Sequence, residues 1–393
     1  MLLLIATFLI LLLLYFELVI GMKNMTNNNK SIVFPLRKSE VIFFDEGKSF
    51  YDSLFNDIQS AKQSIHILFF IVKNDQISNT FFNLLIEKAN SGIEVVLLLD
   101  FVGSFSLKKK TVNTLRSNGV NVAFANFPSF PFFFNSLQRR NHRKITIIDG
   151  KIGYHGGFNI GDEYIGKNPE LGFWRDYHLR LTGEGVLDLQ AQFSKDWDLA
   201  TGDKVLYHNR PLLKGETLLQ FLSTTGIGIE EQFLNLIRQA KEELIIGSPY
   251  FVPSKQLLYE LQSAIERGVI VKVIVPLRED HPLVKQASYP YLQSLLVVGG
   301  EIWEYYQGFY HSKVFIVDHI VCDIGTANFD KRSLYLNEEM NCFIYDPSFI
   351  TLVKKSIQND LNECVELTIK ELQKRRKKEF WKEWIARLIS PFL

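Results

Sequence analysis

Asn141–Gly150 reads NHRKITIIDG, and Tyr310–His319 reads YHSKVFIVDH. His142, Lys144 and Asp149 stand as H-x-K-x4-D in the first stretch; His311, Lys313 and Asp318 repeat the pattern in the second. Gly156 and Asn159 follow the first Asp, Gly325 and Asn328 the second, and every equivalent pair is offset by the same 169 positions. The apolar ITII or VFIV between Lys and Asp marks a strand, and strand alternation puts His and Lys on one face of it. A lone His at such a place is usually a core residue beside an exposed Lys. Here that reading requires two separate strands to bury the same polar set.

Working outward, the rest of the chain repeats as well. Residues 53–62 have helical periodicity, 65–72 are an apolar strand-like run, a helix runs from about 78 to Gly92, and 93–99 read as a buried strand. The same order returns as helix 233–241, extended 244–247, helix 255–267, Gly268 and strand 269–275. AKQSIHILFFIV from Ala61 and AKEELIIGSPYFV from Ala240 occupy one place in the two halves. Helix and strand in alternation predict mixed α/β with a largely parallel sheet in each half, and two related tandem domains, 41–204 and 205–368.

The two ends differ from this body. Residues 1–22 hold one charge, Glu17; as helix they span about 33 Å, enough for a bilayer core of about 30 Å. Lys23, Lys30, Arg37 and Lys38 follow this run and no basic residue precedes it, so the bulk of the chain is expected on the cytoplasmic side of a single-pass transmembrane helix. A cleaved signal peptide is the alternative, but its basic n-region and small-x-small site are absent. Residues 23–40 read as a linker. In the tail, 369–393, eight basic residues face Glu371, Glu379 and Glu383, and Phe380, Trp381, Trp384, Ile385, Leu388 and Ile389 fall at helical spacing. Two readings stay open there: a helix lying on an anionic leaflet, and a solvated helix packed on the domain.

Composition sets limits. The 393 residues are 47% hydrophobic and 22% charged, enough for a large core and against global disorder. With 44 Lys and Arg against 43 Asp and Glu, there is no global basic field, and nucleic acid is not an expected partner. Cys322, Cys342 and Cys364 have neither disulfide-framework nor zinc-ribbon spacing and suit a reducing compartment.

The paired motifs point to chemistry at a phosphodiester. One neutral imidazole attacks phosphorus and the other, protonated, serves the leaving oxygen and then deprotonates the incoming hydroxyl. Lys144 and Lys313, with the amides of Asn159 and Asn328, are candidates to hold the phosphate oxygens. The scheme needs no metal and no cofactor. Before the first motif, Ala125–Asn135 reads ANFPSFPFFFN, followed by Arg139 and Arg140. Five Phe and two Pro in eleven residues argue against a regular helix. The loop either borders an acyl-chain entrance, with both arginines near lipid phosphates, or fills the interface between halves.

On these residues the chain resembles the phospholipase D superfamily and, within it, the bacterial cardiolipin synthases. The resemblance runs from about Val41 to Glu366 and is most specific in NHRKITIIDGKIGYHGGFNIGDEY, GFWRDYHLRLTGEGV and HSKVFIVDHIVCDIGTANFDKRSLYLNEE. It implies a membrane enzyme joining two phosphatidylglycerol molecules into cardiolipin and glycerol through a phosphohistidine, with anionic membrane lipids as partners. It implies His142 as nucleophile and His311 as general acid and base, though the symmetric motifs leave the reverse assignment open. It also implies a carboxylate behind each histidine. Asp176 and Glu339 fall at the family's positions, with Glu338 adjoining Glu339. Asp149 and Asp318 are expected to brace strand ends, and Arg332 and Ser333 to support the second half-site. Two rivals remain: hydrolysis, as in a phospholipase D or nuclease, and a non-catalytic membrane scaffold.

Overall fold

In a computed structural model, residues 30–205 and 214–389 are described, together with residues 5, 7, 8, 12, 13, 15, 17 and 20. Most of the apolar stretch 1–22 therefore lies outside the described residues. Among the described residues no helix is long and apolar enough to cross a membrane.

The first half contains strands β1 (Arg37–Glu46), β2 (Ser64–Phe69), β3 (Glu94–Asp100), β4 (Asn121–Ala125), β5 (Ile145–Ile148), β6 (Ile152–Gly156) and β7 (Phe173–Gly183). The second contains β8 (Thr217–Thr225), β9 (Glu243–Gly247), β10 (Ile270–Pro276), β11 (Glu301–Tyr305), β12 (Val314–Val317), β13 (Val321–Gly325) and β14 (Glu338–Ile344). The pairing order is β4-β3-β2-β5-β6-β7-β1 in the first half. It returns as β11-β10-β9-β12-β13-β14-β8 in the second. Arg37–Ser39 of β1 pairs with Thr217–Leu219 of β8, joining the two sheets at the repeat's pseudo-twofold.

Only the outer three strands of each sheet are parallel, which corrects the expectation of a largely parallel sheet. Parallel neighbours need a crossover of a dozen residues or more. Three residues separate β5 from β6 and three separate β12 from β13, so both motif strands turn back as antiparallel hairpins. Asp149 and Gly150 hold φ of 55° and 62°, as a tight primed turn requires. The stretch 23–40 also differs from a plain linker: Ser31–Val33 pairs with β8 and β1 begins at Arg37.

Helices α1 (Gly47–Ser60) and α2 (Gln76–Asn90) cover the outer face of the first sheet. In α1 the residues Phe50, Leu54 and Ile58 recur every fourth position and are fully buried. Full burial of each such side chain contributes roughly 1.5–3 kcal/mol. Asp75 caps α2 by accepting from Ser78 N at 3.0 Å, and Gly92, φ 82°, closes it. Next come α3 (Lys109–Ser117), α4 (Phe133–Gln138), α5 (Gly185–Thr201), α6 (Ile229–Gln239), α7 (Lys255–Glu266) and α8 (Val284–Val297). The last are α9 (Lys331–Tyr335), α10 (Pro347–Asn362), α11 (Ile369–Lys378) and α12 (Phe380–Ile389).

Each half has its own outer core. A third core is shared. It joins Phe193 and Trp197 of α5 and Phe349, Ile350 and Val353 of α10 to the facing sides of both sheets. This shared core makes the spacing between the two motif strands a packing constraint.

Candidate active site

Each histidine is placed by the opposite half. Tyr310 pairs with Arg175 of β7, and His311 N donates to Arg175 O at 2.7 Å. Asn141 likewise bridges to Glu338 of β14, and His142 N donates to Glu338 O at 2.9 Å. The residue after each acceptor is a carboxylate, so the pairs are crossed. His142 Nδ1 lies 2.9 Å from Glu339 Oε2, and His311 Nδ1 lies 2.5 Å from Asp176 Oδ2. A carboxylate on Nδ1 fixes the tautomer and leaves Nε2 with its lone pair. Both histidines line one cleft of about 570 Å³ between the halves.

The surroundings of the two pairs differ. Glu339 also accepts from Thr326 Oγ1 at 2.6 Å, Ser333 Oγ at 2.8 Å and Asn337 Nδ2 at 3.3 Å. Asp176 accepts from Tyr177 N at 2.8 Å and has Lys313 Nζ 3.9 Å away. Gly157, the repeat equivalent of Thr326, lies against Asp176: a Cβ there would sit 1.9 Å from Oδ1. Trp174 lies against the His311 ring with centroids 4.7 Å apart, and Phe70 meets the His142 ring edge-on at 4.8 Å.

The lysines sit behind the rings rather than among the cleft's lining residues. Lys144 Nζ donates to His142 O at 2.7 Å and Lys313 Nζ to His311 O, and Lys313 Nζ also lies 2.6 Å from His311 Nδ1 and 3.0 Å from Nε2. Burial lowers Lys144 to about 7, helped by the charge of Lys313, and lowers Lys313 to about 8. Burial also pulls His142 down to about 4 against the opposing pull of Glu339. Burial and Lys313 together bring His311 to about 3 despite Asp176. Burial alone would raise both carboxylates. Lys313 and His311 hold Asp176 below the usual range, and His142 does the same for Glu339. At neutral pH both rings are therefore neutral, and a phosphodiester anion entering the cleft raises their affinity for a proton.

The remaining candidates divide. Asn159 and Asn328 line the cleft; Asn159 Oδ1 accepts from Ile71 N at 3.0 Å, which leaves its NH2 end as the donor. Arg332 lines the cleft and donates to Gln138 O at 3.0 Å, while Ser333 Oγ donates to Glu339. Asp149 and Asp318 lie away from the cleft. Asp149 accepts from the backbone N–H groups of Lys62, Gln63 and Ser64 at 2.7–3.1 Å. Asp318 does the same for Lys241, Glu242 and Glu243 at 2.9–3.1 Å.

Of the two arginines expected near lipid phosphates, Arg140 lines the same cleft as the histidines, and Arg139 is not among its lining residues. Arg140 is buried, lies 3.2 Å from Asp100 and donates to Asn126 O at 3.0 Å. Arg139 lies 3.3 Å from Glu338. The Phe-rich segment is not wholly irregular, because α4 begins within it at Phe133. Phe127, Phe130 and Phe134 of this segment are exposed. Sequence reasoning passed over Thr326, Asn337, Phe70 and Trp174. Thr326 had a signal, since it directly follows the repeated Gly325, and Trp174 and Asn337 stand within stretches that carry the resemblance; Phe70 lies outside them.

A family model described as "Cardiolipin synthase, PLD-like domain" matches residues 54–197 and 233–361. The minor cardiolipin synthase of Bacillus subtilis (strain 168) is 45% identical over 362 residues, covering 92% of this chain and 91% of the relative. A cardiolipin synthase of Staphylococcus aureus (strain N315) is 39% identical over 365 residues, covering 90% of this chain and 74% of that one. Among solved structures, a phosphatidylserine synthase from Haemophilus influenzae Rd KW20 superposes with a TM-score of 0.71 at 16% identity, over 95% of this chain and 99% of the other. At that identity the likeness speaks for the fold alone.

Proposed function

This chain belongs to the cardiolipin synthase family of phospholipase D-like proteins, and from that membership we propose the route by which its two half-sites work. It is an enzyme, a phosphatidyltransferase that makes cardiolipin. In our reading both substrates are phosphatidylglycerol. His142 Nε2 attacks the phosphorus of the first molecule, and the bond from phosphorus to the glycerol headgroup oxygen breaks. His311, protonated once the anion is bound, gives its proton to that oxygen, and glycerol leaves. The second phosphatidylglycerol then brings a headgroup hydroxyl to phosphorus. His311 removes its proton, the new P–O bond forms, the P–N bond breaks, and cardiolipin is released.

The observation that carries this reading is the crossed pairing of His142 with Glu339 and His311 with Asp176 at one cleft. The choice of nucleophile is supported by an asymmetry. Both lysines donate to the carbonyl of their own histidine, but Lys313 Nζ also lies within hydrogen-bond distance of both nitrogens of the His311 ring, whereas Lys144 makes no such contact with the His142 ring among the described residues. Lys144 and Lys313, buried behind the rings, favour the phosphate through their field in a low-dielectric site. Asn159 and Asn328 are the proposed direct donors.

The same reading takes 1–22 as a single-pass anchor that holds the catalytic domains, 41–204 and 205–368, on the cytoplasmic face of a bacterial membrane. The Phe-rich segment then borders the acyl-chain entrance. In support, Glu17 of the apolar stretch accepts from the backbone N–H groups of Phe134 and Asn135 at the start of α4. Expression in a host lacking cardiolipin, followed by thin-layer chromatography, tests the reading. Cardiolipin is expected with the wild type and not with His142→Ala or His311→Ala. Phosphatidic acid in place of cardiolipin would move the chain to the hydrolases.

A further inference from the structure

Helices α11 and α12 carry an arrangement that the transfer reaction does not use. Two of the three acidic side chains, Glu379 and Glu383, turn inward, and the third, Glu371, stays exposed but is paired within its own helix. Glu371 binds Arg375 at 2.8 Å, Glu379 accepts from Gln286 and Tyr289 at 3.0 Å each, and Glu383 holds Arg376 at 2.6 Å. Arg375 is also taken up by Glu304 at 2.6 Å. The inward apolar contacts are Leu372 and Ala386, both fully buried.

The outward side is different in kind. Lys370, Lys374, Lys377, Lys378 and Lys382 are exposed. Beyond them Phe380, Trp381, Trp384 and Ile385 are 57%, 74%, 52% and 44% exposed. Trp381, Trp384 and Ile385 recur at helical spacing, so they form one stripe of α12. The tail is basic in sequence, and folding pairs Glu371 and Glu383 with Arg375 and Arg376 and Glu379 with α8, which leaves the lysines as a cationic surface beside the aromatic one. A face of exposed Trp edged by Lys matches the chemistry of an anionic lipid interface. Between α8, α11 and α12 a groove of about 280 Å³, walled by Phe380 and Trp384 with Arg376 and Lys377 at its side, is open to the same surface.

We propose that α11 and α12 form a second lipid contact, separate from the N-terminal stretch, that seats on a bilayer leaflet rich in anionic phospholipid. Helix α8 connects this contact to the active site. Val284 at its start lines the catalytic cleft, while Gln286 and Tyr289 bind Glu379. Seating the tail therefore sets the attitude of the cleft to the lipid surface. The contact concerns lipid binding and is tested apart from catalysis, so it does not depend on the transfer mechanism.

The test uses the full chain reconstituted in vesicles of phosphatidylglycerol with brominated acyl chains, reading tryptophan emission. Trp174 and Trp197 are buried and Trp303 is half-buried against the shared core, so Trp381 and Trp384 are the exposed tryptophans positioned to be quenched. We expect strong quenching that falls by at least half in W381F/W384F. It should fall similarly when the five exposed lysines become Gln, and when wild type is placed in brominated phosphatidylcholine. Turnover of detergent-dispersed substrate by the five-Gln variant should stay within about twofold of wild type, which separates the contact from the chemistry. Equal quenching in wild type and W381F/W384F, or in the two lipids, overturns the proposal.

Discussion

His142 Nδ1 lies 2.9 Å from Glu339 Oε2, although the two residues are 197 positions apart and belong to opposite halves of the repeat. His311 stands in the same relation to Asp176. Neither motif histidine finds its carboxylate within its own half, so the proposed catalytic unit is completed only when the halves pack.

The crossed pairs predict the cost of removing a carboxylate. Glu339→Gln keeps the shape but loses the negative charge facing His142, and buried carboxylates of this kind are worth about 10²–10⁴ in rate. We expect kcat for cardiolipin formation to fall by that order with KM changed little, as read by conversion of labelled phosphatidylglycerol. Loss confined to KM would place Glu339 in substrate binding instead.

Gly157 yields a sharper test of position. Gly157→Ala forces its Cβ against Oδ1 of Asp176, which cannot retreat without leaving His311. Activity is expected to drop at least tenfold while the far-ultraviolet circular dichroism stays native. The equivalent change Thr326→Ala, which removes one hydrogen bond to Glu339, should cost less.

Asp149 and Asp318 separate stability from chemistry. Each holds three backbone N–H groups at the entry to a central strand. Asp149→Ala and Asp318→Ala should lower stability by about 1–3 kcal/mol, the usual cost of leaving such donors unpaired. The folded enzyme should keep kcat within about twofold. A native melting temperature with lost activity would return these residues to the catalytic set.

Two pH dependences follow. Lys144 and Lys313, at about 7 and about 8, lose their charge as pH rises through those values, so KM for phosphatidylglycerol should climb between pH 7 and 9. Initial rates at several substrate levels read this directly. For stability the imidazoles matter. An unfolded histidine binds its proton near pH 6.5, whereas native His311 does so only near about 3. Between those values the unfolded chain holds the extra proton, so stability falls as pH drops. The melting temperature should fall below pH 6.5, and less steeply in His311→Asn.

The sequence made the repeat legible because strand alternation and a fixed offset of 169 positions are local, countable features. It also identified both carboxylates as candidates by resemblance. It did not reveal that they cross between halves, because that depends on Gly308–Tyr310 adding beside β7 and Asn141 bridging to β14. Sheet direction was read correctly at the runs 65–72 and 269–275, which are parallel strands, but not at the motif strands, where the hairpins at Asp149 and Asp318 reverse the chain. The pairing of Arg140 with Asp100 was not legible, because the two lie 40 positions apart in the chain. In the tail the count of charges does not say which cations stay exposed, since pairing with Glu304 and within the tail is set by packing.

The most direct test of two imidazoles serving one phosphorus is to trap the intermediate. Wild type and His311→Ala are mixed with phosphatidylglycerol labelled at phosphorus, quenched in alkali, digested and mapped. The account predicts an acid-labile phosphoryl label on the peptide containing His142, enriched in His311→Ala and absent in His142→Ala. Label on the peptide containing His311, or cardiolipin still formed by His142→Ala, would contradict it.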